Sequence, residues 1–278
     1  MCDGGSYPSD ILEGTDMAVN KRTTTDYFDE QSATYYEKHY GKVFRDPSRY
    51  PVLYLRHKYV LEMLQGSEEG RAIDIGCGSG AMLIDLWKKG FEVVGVDIST
   101  SMVRRIHASS HSSSEEPLLG VTDLEHMPFI DKSFDVVVCN GVVEYLARDD
   151  LALREISRIL KTRGVAFVSI TNALAPMWFL ETMAKALGVH GRIVSLVSGG
   201  AAFPRARLHV PAALSDIAAR VGLVETGRAY FHFSPFPFPL NEIFPLLSRR
   251  LGLKMEALSK RRLGFLGRGC IVRFVKMN

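Results

Sequence analysis

The sequence predicts an α/β fold in which helices cover both faces of a mostly parallel sheet. Between residues 71 and 172, short apolar runs alternate with helical patterns of about ten to fifteen residues. The stretch DIGCGSG, Asp74–Gly80, directly follows the first of these runs and leads into a helical pattern. Glycines at such a turn let the chain bend sharply and let a ligand approach the backbone closely.

Seven predicted strands follow in order along the chain. The first five are the runs RAIDIG, FEVVGVD, LLGVTD, SFDVVVCN and VAFVSIT, and the last two are LVETGRAYFHF and GCIVRFVKM. Helical patterns precede the sheet over residues 23–64 and recur at 176–187 and 241–262. We therefore expect one domain that carries an N-terminal helical lid and two cap insertions.

Changes in composition set the expected boundaries. They are a flexible leader (1–22), a helical lid (23–65), a cofactor-binding core (66–172), a cap insertion (173–208), a second core segment (209–233), a second cap insertion (234–266) and a last strand (267–278). The leader is polar and acidic, unlike a signal peptide, so we expect a cytoplasmic location. We expect no membrane span, because no stretch of 18 residues is uninterruptedly apolar.

Cysteine spacing and charge limit the other partners. The four cysteines are far apart and form no CxxC pair, so neither a disulfide nor a metal site is expected. The net charge is only +3, but residues 249–278 contain nine Lys or Arg and one acid, Glu256. The basic 249–262 segment is interpreted as a solvated face, a contact for an anionic membrane surface, or a grip on an anionic substrate. No nucleic-acid partner is expected, because exposed aromatic residues are not interleaved with these bases.

Two ligands fit the glycine loop, namely a nicotinamide dinucleotide and S-adenosylmethionine. Asp74 precedes Gly76 by two residues, where a carboxylate can face an ammonium group but would repel a pyrophosphate. Asp123, at the end of the third strand, can accept a hydrogen bond from an adenine amine. Asp97 can hold a ribose in either case. The pattern favours S-adenosylmethionine.

The chain resembles the class I S-adenosylmethionine-dependent methyltransferases, and most of all the broad group that includes ubiquinone and menaquinone biosynthesis enzymes. The resemblance covers about residues 72–172. It rests on five stretches, which are DIGCGSG, GVDIS followed by Met102, VTDLEHMPF, FDVVVCNGVVEYL and REISRILKTRGVAFVSITN. It implies a Rossmann-like sheet of seven strands with an antiparallel last strand. The chain departs from the group at Tyr145, where His is usual, and at Thr162-Arg163-Gly164, where Pro-Gly-Gly is usual.

The resemblance also implies roles for the matching residues. Asp74 and Gly76 would lie near the methionine part of the cofactor, and the Asn140 backbone near its ammonium group. Cys77 and Gly78, in the same loop, are also expected to bind the cofactor. Asp97 would hold both ribose hydroxyls, Ile98 and Met102 would sandwich the adenine, and Asp123 and Leu124 would bind its edge. Tyr27 or Tyr36 in the lid would close over the carboxylate of the cofactor, and an aromatic face also favours its sulfonium.

The activated methyl group reduces what the protein must supply. Alignment of the acceptor and exclusion of water are sufficient unless the acceptor has to lose a proton. Candidate bases are His209, His232 and Glu144, each of which could equally be structural. The apolar cap stretches APMWFLETMAKAL and FHFSPFPFPL favour a lipophilic small-molecule acceptor.

We expect methylation of a hydroxyl oxygen. The alternatives are C- or N-methylation of a terpenoid, quinone or other natural product, an NAD(P)-dependent oxidoreductase, and an inactive partner subunit that binds S-adenosylmethionine. The oxidoreductase should bind NAD(P)H and the inactive subunit should lack an acceptor site. The sequence indicates neither the acceptor nor the oligomeric state.

Overall fold

The computed structural model describes residues 21–39, 52–64, 69–109, 117–186, 206–236 and 240–277. The strands are β1 (Arg71–Ile75), β2 (Glu92–Asp97), β3 (Leu118–Val121), β4 (Phe134–Cys139), β5 (Leu160–Asn172), β6 (Leu208–His209), β7 (Leu223–Phe231) and β8 (Gly269–Lys276). The helices are α1 (Lys21–His39), α2 (Val52–Met63), α3 (Ala81–Lys88), α4 (Thr100–Ser109), α5 (Asp149–Ile159), α6 (Pro176–Ala186), α7 (Pro211–Arg220), α8 (Leu240–Ile243) and α9 (Pro245–Met255). Single 3₁₀ turns occupy Val143–Tyr145, Glu256–Leu258 and Arg262–Leu266.

The strands form one sheet in the order β3-β2-β1-β4-β5-β8-β7. Strands β1 to β5 are parallel, and β8 lies antiparallel between β5 and β7. The two-residue strand β6 adds a short parallel pairing at the end of β5. The predicted α/β class, the seven main strands and the antiparallel last strand are confirmed.

Apolar side chains fill the core on both faces of this sheet. On one face, Ile73 and Val137 pack in a cluster with Ile156 of α5 and Leu214 of α7. On the other face, neighbouring strand residues pack with α2 and α3. Burial on both faces explains why the central strands are continuously apolar. Because α2 belongs to the second cluster, this part of the lid is a structural layer of the domain.

The helices of the lid and the second cap differ from the sequence prediction. Residues 23–64 contain two helices, α1 and α2, while residues 40–51 lie outside the described ranges. The helix predicted over 241–262 is wrong, because α8 ends at Ile243, α9 starts at Pro245 and 3₁₀ turns follow. Proline disfavours the helical region for the residue before it, and Phe244 has φ −117° and ψ 59°.

The described part of the first cap insertion is short. It contains α6, whose Trp178 indole N–H donates to the Asn172 carbonyl oxygen at 2.9 Å, and residues 187–205 lie outside the description. Residues 1–20 also lie outside it. In the described part of the chain, no helix combines the length and apolar character that a membrane crossing requires.

Candidate active site

A cavity of about 450 Å³ lies at the carboxyl ends of β1, β2 and β4, beneath the lid helices α1 and α2. Ligands of open α/β sheets bind at this edge. Its wall is formed by Thr24, Phe28, Val52, Leu53, Arg56, Ile75, Gly76, Gly78, Val96, Asp97, Ile98, Met102, Thr122, Asp123, Leu124, Asn140, Gly141, Val142, Glu144, Tyr145, Leu146 and His232. Residues from the predicted cofactor motifs therefore share one cavity with residues of the lid and of β7.

The glycine loop turns from β1 into α3 with a backbone that other residues rarely adopt. Gly76, Gly78 and Gly80 have φ values of 72°, 51° and 77°, in the left-handed region. At Gly76 there is also no room for a side chain, since a Cβ atom would lie 2.3 Å from Cγ2 of Val142. Gly76 and Gly78 consequently present bare backbone to the cavity.

Asp97 ties the end of β2 to this loop. Its Oδ2 accepts a hydrogen bond from the Gly78 N–H at 2.9 Å, and its Oδ1 accepts one from the Ser99 N–H at 2.9 Å. Burial raises the pKa of Asp97 above its ordinary value, although these backbone hydrogen bonds oppose the shift. The carboxylate is thus held in a fixed orientation on the cavity wall, where each oxygen keeps a lone pair for a ligand hydroxyl.

Asp74 and Cys77 lie behind the wall. Asp74 is 2% exposed, and burial together with the charge of Asp97 raises its pKa to about 8, while Arg56 opposes the shift. Burial also raises the pKa of the Cys77 thiol, so this group is neutral and unreactive. A buried carboxyl of this kind gains stability from a cationic ligand group that reaches it.

The residues predicted to hold the adenine all line the cavity wall. Ile98 lies between β2 and α4, Met102 lies in the first turn of α4, and Asp123 and Leu124 lie in the loop after β3. Asp123 Oδ1 accepts a hydrogen bond from the Glu125 N–H at 3.0 Å. Two apolar side chains and an anchored carboxylate at one edge fit a flat base with an exocyclic amine.

Asn140 and Glu144 are buried on the cavity wall and have polar atoms without hydrogen-bond partners inside the described structure. Neither Oδ1 nor Nδ2 of Asn140 has one, and nor does Oε2 of Glu144, although both residues line the cavity. Burial raises the pKa of Glu144, and the charge of Arg56 opposes this. Buried polar groups are normally paired, so these atoms are suited to bind polar groups of a ligand.

His232 lies at the end of β7 in a strained conformation. Its φ is 63°, which is rare for a residue with a side chain. The backbone is held there because the His232 N–H donates to Oε1 of Glu256 at 3.1 Å and the His232 carbonyl accepts from the Arg268 N–H at 3.0 Å. Burial lowers the pKa of His232 to about 3, with Arg268 contributing, so the imidazole on the cavity wall is neutral.

His209 is not brought to the cavity wall. It lies in β6, and its Nε2 is 3.2 Å from Oδ1 of Asp149, which also accepts from the Arg207 guanidinium at 2.9 Å. Burial raises the pKa of Asp149. Hydrogen bonds and charges from His209 and Arg207 outweigh this effect and hold the pKa below its ordinary value. This arrangement fastens β6 to α5, which is a structural role.

The aromatic residue that α1 contributes to the cavity wall is Phe28, whereas the sequence predicted Tyr27 or Tyr36. Phe28 packs edge-on against Tyr145 with ring centroids 5.9 Å apart, and Tyr27 packs edge-on against Phe28 at 5.4 Å. Tyr27 therefore contacts a ring that lines the cavity but does not line the cavity itself. The backbone of Tyr36 belongs to α1, but its side chain lies outside the described residues.

Sequence reasoning missed Arg56. It lies on α2, packs against the backbone of Gly141, and is the only Lys or Arg on the cavity wall among the described residues. Its Nε is buried without a hydrogen-bond partner inside the described structure. Arg56 follows the apolar and aromatic stretch VLYL at the start of α2, and this position was the signal that could have identified it.

Known proteins match the same region. Residues 73–168 match the family model described as "Methyltransferase domain". The methyltransferase YqeM of Bacillus subtilis is 34% identical over 111 residues, which are 38% of this chain and 44% of that protein. A ubiquinone biosynthesis O-methyltransferase of Aliivibrio fischeri is 29% identical over 120 residues, which are 42% of this chain and 51% of that protein. The chain thus spans about half the length of the curated relatives it matches.

A solved structure extends the similarity of fold to almost the whole chain. Magnesium protoporphyrin IX methyltransferase from Synechocystis PCC 6803, solved with bound SAH, has a TM-score of 0.59 at 18% identity, and the match covers 92% of this chain and 99% of that chain. These comparisons support the predicted methyltransferase family and S-adenosylmethionine as its cofactor. Residues 73–168 of the chain thus match a methyltransferase domain, within a fold that is shared with a methyltransferase of known structure.

Proposed function

We propose that this protein transfers the methyl group of S-adenosylmethionine to a hydroxyl oxygen of a small lipophilic acceptor. The observation that carries the proposal is the single cavity in which the glycine loop, an apolar wall and the buried carboxyl group of Glu144 meet. The cofactor supplies an activated methyl group on a sulfonium. The protein must then orient the acceptor, exclude water and accept a proton.

The cofactor residues keep their predicted roles in this proposal. Asp97 binds the ribose hydroxyls, Ile98 and Met102 enclose the adenine, and Asp123 binds its amine. Arg56 is added, because a free amino acid group carries a carboxylate and this guanidinium is the cation available on the described wall. Asn140 and Asp74 remain for the ammonium group.

The proposed acceptor lies against the apolar and aromatic side chains of the cavity wall. These include Phe28, Leu53, Val142, Tyr145 and Leu146. Such a wall favours an acceptor that buries apolar surface. Two of the similar proteins are named as a ubiquinone biosynthesis O-methyltransferase and a magnesium protoporphyrin IX methyltransferase, and these names support a lipophilic class of acceptor.

Glu144 is the better candidate for the base. A carboxylate with a raised pKa and an unpaired oxygen can take the proton of a hydroxyl, because catalytic efficiency improves as the pKa of the base approaches the working pH. His232, with a pKa of about 3, is a poor base but a permanent neutral acceptor that can orient the hydroxyl. His209 is no longer proposed as the base.

The test is product analysis with matched acceptors. The purified protein is incubated with S-adenosylmethionine and a prenylated phenol, its methyl ether, or its aniline analogue, and products are identified by mass spectrometry. An O-methyl ether from the phenol alone supports the proposal. Methylation at carbon or nitrogen supports the corresponding alternative. Binding of S-adenosylmethionine without any product across a wide acceptor panel favours the inactive partner subunit.

We also propose that the second cap contacts an anionic lipid surface. Leu240, Ile243, Phe244, Leu246 and Leu247 are 41% to 67% exposed, and Arg250, Lys254, Arg261 and Arg262 are exposed nearby. Exposed apolar and cationic side chains in one segment suit an anionic bilayer. A lipophilic acceptor would be drawn from that bilayer. A cytoplasmic location stays a prediction.

Vesicle sedimentation tests this contact. We expect binding to vesicles of phosphatidylglycerol and phosphatidylcholine but weak binding to phosphatidylcholine alone. The variant Leu246→Ser/Leu247→Ser should bind less, whereas Ile130→Ser, at an 80% exposed position, should bind like wild type. Equal sedimentation of all three proteins would argue against the contact.

A further inference from the structure

Asp29 on the lid helix makes a two-point contact with the start of α4. Its Oδ1 accepts a hydrogen bond from the Ser99 hydroxyl at 2.6 Å and another from the Ser101 N–H at 2.9 Å. The Ser99 oxygen in turn accepts from the Met102 N–H at 3.1 Å, which caps α4. The carboxylate of Asp29 thus extends the cap of a helix that is part of the cofactor-binding core.

The same contact leads directly to the ribose-binding carboxylate. The N–H of Ser99 donates to Oδ1 of Asp97 at 2.9 Å, while its hydroxyl donates to Asp29. Ser99 is completely buried, so both of its donors are fixed by these two carboxylates. The lid and Asp97 are therefore joined through one residue.

The charges around Asp29 stabilise its ionised form, which makes these hydrogen bonds. The N-terminus of a helix stabilises a nearby anion, and Arg104 of α4 adds a positive charge. Burial raises the pKa of Asp29, but the hydrogen bonds from Ser99 and Ser101 and the charge of Arg104 outweigh it. Asp29 is consequently ionised near neutral pH, in the form that accepts both hydrogen bonds.

The part of α1 that Asp29 fastens is the part that covers the cavity. Phe28 is the adjacent residue and Thr24 lies on the same helix, and both line the cavity wall. Phe28 also packs edge-on against Tyr145, which lines the same cavity. Release of Asp29 from Ser99 and Ser101 would free this wall to move away from the site.

We propose that Asp29 is a positioning residue that latches the lid helix α1 to Ser99 and Ser101, so that closure of the lid and retention of the cofactor are coupled. Displacement of the lid breaks the contacts of Ser99 on one side and loosens Asp97 on the other. A bound ribose that fixes Asp97 favours the closed latch in return, since coupling between two sites is reciprocal. The inference rests on cofactor binding and is independent of the proposed acceptor.

The test measures how fast bound S-adenosylhomocysteine dissociates in a chase with excess S-adenosylmethionine. Asp29→Ala should accelerate dissociation about tenfold, the size expected for loss of hydrogen bonds to a charged group. Asp29→Asn, which keeps the volume but loses the charge, should have a smaller effect in the same direction. Glu30→Ala, at the exposed neighbouring position, should dissociate like wild type.

Two further readouts separate a latch from a merely structural role. Bound S-adenosylhomocysteine should protect α1 from proteolysis in wild type and in Glu30→Ala, but not in Asp29→Ala. In a double-mutant cycle, Asp29→Ala and Ser99→Ala should be strongly non-additive in the dissociation rate, because both remove the same contact. Dissociation at the wild-type rate from folded Asp29→Ala and Asp29→Asn, or additive effects in the cycle, would overturn the proposal. Failure of every acceptor to react would leave it intact.

Discussion

The Asp97 carboxylate accepts a hydrogen bond from the Gly78 N–H at 2.9 Å, which links the second strand of the sheet to the glycine loop after the first. A dinucleotide site uses the N–H groups of such a loop for phosphate, whereas here one of them is already paired with a carboxylate. Asp123 and Glu144 add two more acidic groups to the same wall. This environment suits a cationic ligand, in agreement with the methyltransferase family.

Replacement of Gly76 should damage both the loop and the ligand site. In Gly76→Ala the new Cβ would lie 2.3 Å from Cγ2 of Val142 at a φ of 72°, so the loop must shift. We expect S-adenosylmethionine affinity to fall at least about tenfold and stability to fall by about 1–3 kcal/mol, as measured by calorimetry and urea unfolding. The matched control is Gly222→Ala, where φ is 81° but no atom lies within 4 Å of the new Cβ. It should lose a similar or smaller amount of stability and keep its affinity.

The buried carboxyl of Asp74 should make stability depend on pH. Its pKa is raised to about 8 in the folded state, mainly by burial, so the stability that the protonated form contributes is lost as the pH rises from about 4 through 8. The amide in Asp74→Asn does not ionise, so the variant does not lose this stability as the pH rises. We expect the variant to become more stable than wild type between about pH 5 and about pH 8 in urea unfolding. An identical pH dependence in both proteins would contradict this assignment.

The same residue should couple cofactor binding to proton release. An ammonium group near Asp74 favours its ionised form, so wild type should release a proton when S-adenosylmethionine binds below about pH 8. Titration calorimetry in buffers with different ionisation enthalpies measures this release. The variant Asp74→Asn should bind S-adenosylmethionine more weakly and should release fewer protons on binding.

Removal of Arg56 should abolish the preference of the protein for S-adenosylmethionine over the analogue that lacks the carboxylate. Wild type should bind S-adenosylmethionine more tightly than its decarboxylated analogue, by about tenfold or more, because a guanidinium–carboxylate pair is lost with the analogue. Arg56→Ala should bind the two ligands equally. Arg163→Ala, on an exposed residue at the opposite end of β5, should discriminate like wild type. Retained discrimination in Arg56→Ala would assign the guanidinium to the acceptor.

Glu144→Gln should separate catalysis from cofactor binding. The amide has nearly the same shape but cannot take a proton, so turnover with a phenolic acceptor should fall about 10²-fold or more while cofactor affinity stays within about twofold. In wild type, the acid limb of the pH–rate profile should lie above the pKa of an ordinary glutamate, because burial raises the pKa of Glu144. Unchanged turnover in Glu144→Gln would remove this residue from the proton transfer.

The motif residues could be placed from the sequence because each lies at the end of a predicted strand. Asp97 is the last residue of β2, and Asp123 and Asn140 follow the ends of β3 and β4 within two residues. Parallel strands bring their carboxyl ends to one edge. Arg56 and Phe28 could not be placed in this way. They reach the cavity from helices whose position depends on packing against the sheet and on the Asp29 contact, and no local pattern encodes that.

His209 was predicted as a candidate base from its place in the sequence, but it does not line the cavity. Its position after a predicted insertion suggested the sheet edge, and β6 does pair with the end of β5 there. The direction of its side chain depends on Asp149 and Arg207, which are distant in sequence or lie outside any motif. The break at Pro245, by contrast, was predictable, since a helix rarely continues through a proline.

Titration calorimetry with S-adenosylmethionine, its demethylated product and NADPH, on wild type and on Asp97→Asn and Asp123→Asn, tests the central claim most directly. The control is Asp131→Asn, whose carboxylate is 71% exposed and pairs with Arg158 away from the cavity. We expect micromolar binding of the first two ligands, weakened about tenfold or more in both site variants and unchanged in the control. Binding of NADPH in place of S-adenosylmethionine, or unaltered affinity in both site variants, would contradict the account.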